Sequence, residues 1–153
     1  MHSTRVSRVV NAPRAAVYRA LLDPAAVARW RVPDGMTGHV HGFDAREGGA
    51  FRVSLTYDVP DGTGKSSSGT DTYRGHFAEL VPGERVVEVL EFETDDPALA
   101  GVMTMTTSLA ESGGATVVTI VHEGLPDSVA PADNEAGTRM ALANLAALVE
   151  PRG

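Results

Sequence analysis

From residue 51 the chain alternates. Phe51, Val53, Leu55 and Tyr57 are apolar where Arg52, Ser54, Thr56 and Asp58 are polar, the period of two that gives a strand one dry and one wet face. An opening strand is predicted over 4–10, "TRVSRVV", where Val6, Val9 and Val10 stand among polar residues. "NAP" breaks it, and Pro13 suits the first turn of a helix. In "PRAAVYRALLD" Val17, Leu21 and Leu22 recur at helical spacing. "PAAVARW", 24–30, reads as a second short helix, begun by Pro24 and stopped before Pro33. Beyond the alternating stretch, strands are predicted at about 70–80, 85–93, 101–110 and 115–123. "VPGE" places Pro82 and Gly83 where a type II turn wants them, and "ESGGA" supplies Gly113 and Gly114. Hairpin following hairpin implies an antiparallel meander, not βαβ units. The last element, "DNEAGTRMALANLAALVE", 133–150, reads as a long helix capped by Asp133. Its stripe of Leu142, Leu145, Leu148 and Val149 must cover the apolar face of the meander.

Within "FDAREGGAFRVSL", 43–55, two glycines invite a phosphate-loop or catalytic-elbow reading. They stand between two period-two stretches, so Glu47, Gly48 and Gly49 are read as a bend where glycine supplies positive φ. "GTGKSSS", 62–68, contains Gly64-Lys65-Ser66, but the phosphate-loop motif needs a glycine where Val59 stands and a helix afterwards. It is read as a polar loop.

Composition narrows the partners. A chain of 153 residues with 42% hydrophobic and 22% charged residues fits one globular domain, 1–153, with a real core. A net charge of −7 argues against nucleic acid and against anionic membrane surfaces. With no cysteine, disulfides, thiol nucleophiles and Cys-ligated metals drop out. No apolar run reaches the length of a membrane span, and "MHSTRVSRVVNA" lacks the apolar centre of a signal peptide, so a cytoplasmic protein is expected.

Candidate chemistry is sparse. His39 and His41 project from one face of a probable strand, but zinc needs at least a third ligand. Glu79, His76 or His122 would have to supply it, and nothing in the spacing requires that; no metal and no cofactor is expected. His122 shares a face with Val118 and Ile120, so it lies at the end of the core as a histidine satisfied by backbone or helix groups, or as a polar anchor or acid–base group in an apolar cavity. "DTYRGHFAEL", 71–80, has no purely apolar face, which suits a strand bordering a cavity, although a wet sheet face would show the same mixture. Met103 and Met105 share a face with Thr107 and Leu109, as core packing or as an adaptable pocket wall. There is no Gly-x-Ser-x-Gly elbow and no evident carboxylate pair.

The order strand, two short helices, six antiparallel strands and a long helix resembles the helix-grip fold of the START-like (SRPBCC) superfamily. In particular it resembles the bacterial branch named for homology to activators of the heat-shock protein 90 ATPase. The matching pieces are "NAPRAAVYRALLDPAAVARW", "FDAREGGAFRV", "GHFAELVPGERVVEV", "GGATVVTIVHEGL" and "GTRMALANLAALVE". One departure stands out: the family usually opens its terminal helix with glycine then tryptophan, and this chain has Gly137-Thr138. The resemblance implies an α+β fold, a curved antiparallel sheet wrapped around the C-terminal helix with a ligand cavity between them. Strand phase and helix position then nominate Trp30, Phe51, Tyr57, Tyr73, Met103, Met105, His122 and Met140 as its wall, with Thr138 at the edge.

Three functions compete. The first is binding of a small hydrophobic molecule. The second is a cyclase- or dehydratase-like enzyme using His122, Tyr73 or Tyr57 as acid–base groups. The third is a co-chaperone acting on a heat-shock ATPase through its surface; it ranks last, because the eukaryotic activators carry an additional N-terminal domain for which this chain has no room. A homodimer through an exposed sheet edge stays open.

Overall fold

The computed structural model describes residues 2–33, 35–58 and 69–151. The elements run β1 (His2–Val10), α1 (Arg14–Leu21), α2 (Pro24–Trp30), β2 (Met36–Phe43), β3 (Ala50–Tyr57), β4 (Thr70–Val81), β5 (Arg85–Phe92), β6 (Met103–Ser112), β7 (Ala115–Leu125) and α3 (Pro131–Val149). Every strand pair is antiparallel, in the order β1-β7-β6-β5-β4-β3-β2. Strands β2 to β7 are therefore a meander in chain order, and β1 closes it by pairing with β7. The two short helices carry the chain from one edge strand to the other. The "GTGKSSS" loop lies outside the described residues.

The "EGG" bend is two devices in one. Gly48 has φ +80°, the conformation the sequence anticipates there. Gly49 does not; a Cβ on it would stand 2.0 Å from the Asp44 carbonyl oxygen, so its role is close approach. A similar crowding occurs mid-sheet at Gly75, where a Cβ would meet the Val89 carbonyl oxygen at 2.0 Å. Lacking that atom, β4 presses against β5 at this point. A bulge between Phe77 and Glu79 then breaks the alternation, leaving Glu79 opposite Val87, and the Glu79 carboxylate accepts a hydrogen bond from Arg85 Nε at 2.7 Å.

The terminal helix begins earlier than the sequence suggests. Pro131 occupies its first turn, Ala130 is the cap without a side-chain bond, and the Asp133 and Asn134 amides donate to the Ala130 carbonyl at 3.0 and 3.1 Å. Proline fits there because its φ is already helical and its missing N–H would have had no partner. Asp133 thus sits inside the first turn, where its charge complements the helix dipole, and does not cap it.

The C-terminal half of α3 is sealed. Leu142, Leu145 and Ala146 are buried in one cluster with Val10, Val17, Val27 and Trp30. The Trp30 indole donates to the Ala20 carbonyl at 3.1 Å, tying α2 to α1, and Asn144 Nδ2 donates to the Val32 carbonyl at 3.1 Å, tying α3 to the segment that follows α2. No helix among the described residues is long and apolar enough to cross a membrane.

Candidate functional site: a cavity between sheet and helix

The N-terminal half of α3 leaves space instead of filling it. Its cavity-facing positions are Asp133, Asn134, Gly137, Thr138 and Ala141, all small or polar, and opposite them the sheet stands off by a cavity of about 390 Å³. The sheet side is apolar, with Leu90 and Phe92 from β5, Met103 and Met105 from β6, and Ile120 and Leu125 from β7. Trp30 and Arg31 close it at the end of α2, and Ser128, Val129 and Ala130 border it ahead of α3.

Two charged side chains line the cavity, Asp133 at the start of α3 and Arg31 after α2, and only Arg31 is buried in the apolar wall. Arg31 Nη1 donates to Glu88 Oε1 at 2.6 Å, with the two side chains only 12% and 6% exposed. Nη2 contacts the Met105 sulfur at 3.2 Å, and the guanidinium carbon lies 5.1 Å from the Tyr73 ring centre and 5.7 Å from that of Trp30. A guanidinium within about 6 Å of an aromatic ring centre is attracted by the ring's electrons, more so where water is excluded. Burial alone would weaken the arginine's hold on its proton, but the facing Glu88 carboxylate outweighs it, so the pKa rises above the ordinary value.

Two residues on the cavity each carry a buried polar atom without a hydrogen-bond partner: the Tyr73 hydroxyl and His122 Nδ1. Burial first, and the Arg31 charge second, push the His122 pKa down to about 4, so the ring is neutral at neutral pH. Burial pushes the Tyr73 hydroxyl up, with Arg31 opposing and Glu88 adding to the rise, so it keeps its proton. Beside Asp133, the cavity lining therefore carries one neutral imidazole, one neutral phenol and one guanidinium already engaged by a carboxylate.

Residues 11–150 match the family described as "Activator of Hsp90 ATPase homolog 1-like protein". The chain belongs to this family. Among solved structures, a protein of Chromobacterium violaceum is similar at 36% identity and a TM-score of 0.86, over 99% of this chain and 100% of that one. A protein of Rhizobium loti is 30% identical with a TM-score of 0.75, over 95% of each chain. A putative protein of the dynemicin biosynthetic locus is similar in fold at 23% identity and a TM-score of 0.69; it matches 97% of this chain but only 47% of that longer one. No curated protein matches the chain in sequence.

Of the nominated wall residues of this family member, Trp30, Tyr73, Met103, Met105, His122 and Thr138 lie on the cavity. Three do not. Phe51 is buried on the inner face but packs behind the wall, its ring centre 6.1 Å from Tyr73 and 5.1 Å from Phe77. Tyr57 shares a face with Leu55 yet lies about 7 Å farther along the strand, opposite Met36 of the edge strand β2, beyond the cavity's reach. Met140 follows Thr138 by two residues, about 200° around the helix, and is turned away from the cavity.

The expectation of a satisfied His122 is also corrected: its Nδ1 finds neither backbone nor helix partner. Thr138, where the family resemblance calls for tryptophan, donates its hydroxyl to the Asn134 carbonyl at 2.7 Å. It is buried on the cavity lining. His39 and His41 stand edge to face, ring centres 4.6 Å apart, and His41 Nε2 lies 2.7 Å from Ser54 Oγ. No group of three metal-ligating side chains forms among the described residues.

The sequence reading passed over Arg31 and Glu88. A signal for one was present: in "RVVEVLEF" the alternation puts Glu88 in phase with Val86 and Leu90, both buried. A carboxylate in phase with core residues demands a buried cation. Nothing local says that the cation lies 57 residues away.

Proposed function

We propose that the protein binds a small, mostly apolar molecule in the cavity between the sheet and α3. The observation that carries this reading is a cavity of about 390 Å³ with a largely apolar sheet side, two of whose lining residues, Tyr73 and His122, hold buried polar atoms without partners. Buried polar groups are almost always hydrogen-bonded, and a group left without a partner costs about 1–3 kcal/mol. Concave, largely apolar cavities with a few convergent polar groups are the usual seats of small ligands. A bound molecule supplying a hydrogen-bonding atom removes the cost.

The test is native mass spectrometry of freshly purified protein, with mass analysis of whatever is released on unfolding, alongside thermal unfolding against a set of apolar compounds. A reproducible small adduct, or a saturable rise in melting temperature, is the expected result, because a ligand that binds only the native state stabilises it. A clean protein mass together with an unchanged melting temperature across the set rejects the reading.

A second reading is catalysis of the cyclase or dehydratase kind, with His122 and Tyr73 exchanging protons with a bound substrate. Their position on one cavity favours it, and so does the fold shared with a putative protein of a biosynthetic locus. It ranks second because an imidazole with a pKa near 4 is a weak base at neutral pH. Turnover that disappears in His122→Ala while binding persists would reverse that ranking.

A further inference from the structure

We infer that Glu88, acting through Arg31, makes the cavity select uncharged apolar molecules carrying a hydroxyl or carbonyl oxygen and reject carboxylates. This rests on the binding function proposed above and names the class of ligand.

An arginine on the wall of an apolar cavity would ordinarily mark a carboxylate site, because its fork matches a carboxylate's two oxygens. Here the match is already taken. Arg31 Nη1 is held by Glu88 Oε1 at 2.6 Å, Nη2 rests on the Met105 sulfur, and the guanidinium carbon lies 5.1 and 5.7 Å from the Tyr73 and Trp30 ring centres. Glu88 itself is 4% exposed and reaches Arg31 from β5 without lining the cavity. The pair is neutral as a unit.

A carboxylate entering the cavity would lose its hydration and find no free positive charge. It would also pass Asp133, the other charged side chain on the lining, which repels it. Swapping partners offers no gain, since a released Glu88 would be a buried unpaired carboxylate.

The groups that do want partners are neutral. The Tyr73 hydroxyl donates or accepts, and His122 Nδ1 donates or accepts according to the tautomer. An uncharged oxygen, above all a hydroxyl that is donor and acceptor at once, satisfies either arrangement without burying a net charge. Tyr73, His122 and Arg31 lie on one cavity, and the Arg31 guanidinium carbon is 5.1 Å from the Tyr73 ring centre, so such an oxygen sits beside the ion pair.

The test uses three probes with one ring system, measured by equilibrium dialysis at neutral pH: naphthol, uncharged with a hydroxyl; methylnaphthalene, uncharged without one; and naphthoate, an anion. The wild-type protein is expected to bind naphthol about tenfold tighter than methylnaphthalene, and naphthoate weakest. Glu88→Gln keeps the shape, frees the Arg31 charge, and is expected to tighten naphthoate at least about tenfold, inverting the order. Arg31→Gln with Glu88→Gln removes both charges, and the gain for naphthoate disappears while naphthol still binds. A merely structural role for Glu88 would weaken all three probes together.

Naphthoate binding the wild type as tightly as naphthol overturns the inference and leaves the binding function standing. So does a folded Glu88→Gln protein that gains nothing for naphthoate. Should Glu88→Gln not fold, the wild-type order and the doubly neutral variant decide. If none of the three probes binds any of the proteins, the selectivity falls, while the binding function is decided separately by the native mass and melting tests.

Discussion

The two halves of α3 face the same sheet and do opposite things. Toward the C-terminus, Leu142, Leu145 and Ala146 are 1%, 0% and 1% exposed and close a dry core with α1, α2 and β1. Toward the N-terminus, Asn134, Gly137, Thr138 and Ala141 face a cavity. Both halves keep helical spacing; what differs is side-chain volume and polarity. Close packing needs every inward position filled, and a helix that carries small residues over one turn or two leaves a void the rest of the fold cannot collapse into. The sheet is strapped along β1, β7 and β6 by long ladders, so the cavity walls are held apart by hydrogen bonding that does not depend on what lies between them. One helix thus supplies the clamp and the opening.

The comparison breaks most visibly at the sealed half. Leu145→Ala removes a fully buried side chain, and the expected loss is about 2–5 kcal/mol, read from urea denaturation. A loss under about 1 kcal/mol would mean the core relaxes into the void and the two halves are not so different.

At the open half, His122 makes stability depend on pH. Its folded pKa lies near 4, below the ordinary 6.5, so the unfolded chain binds the extra proton between those values. Stability from this group is therefore full above about pH 6.5 and falls as pH drops through the window, by at most about 3 kcal/mol. Urea titrations at neutral pH and at about pH 4.5 should show this decline in the wild type and a shallower one in His122→Gln. Parallel declines would assign the acid sensitivity to other groups.

Thr138→Trp sharpens the contrast by converting the open half toward the closed one. It should abolish any small-molecule adduct in native mass spectra while changing stability by no more than about 1–3 kcal/mol in either direction, as filling and overpacking offset. An adduct that survives would place the ligand elsewhere. The smallest effect is expected at Gly137, where a Cβ would meet no atom within 4 Å. Gly137→Ala should stabilise the helix by about 0.5–1 kcal/mol, seen as a small rise in melting temperature. A destabilisation would show that this turn needs the backbone freedom of glycine.

Much of the molecule was legible in residue order. The alternation in β3 placed Val53 and Leu55 on the inner face, and the phase of Met103 and Met105 with Leu109 on β6 held in the fold. Periodicity and turn chemistry are local properties, so they name elements and faces. They do not say how far a face extends over a cavity, which is why Tyr57 and Phe51 were placed on the wall when one lies past its end and the other behind it. Met140 was misplaced for a related reason: a stripe drawn along a helix leaves its angular edge undefined.

By itself, then, the sequence determined the antiparallel meander, the two short helices, the long helix and the apolar phase of each, because backbone sterics and burial act within a few residues. Only the tertiary structure decided that Arg31 would meet Glu88, that the Tyr73 hydroxyl and His122 Nδ1 would be left without partners, and that Thr138 would border a cavity of about 390 Å³. Those facts depend on which atoms arrive opposite one another when remote elements converge, and on which do not. A satisfied and an unsatisfied histidine look alike along the chain; only the space around the ring tells them apart.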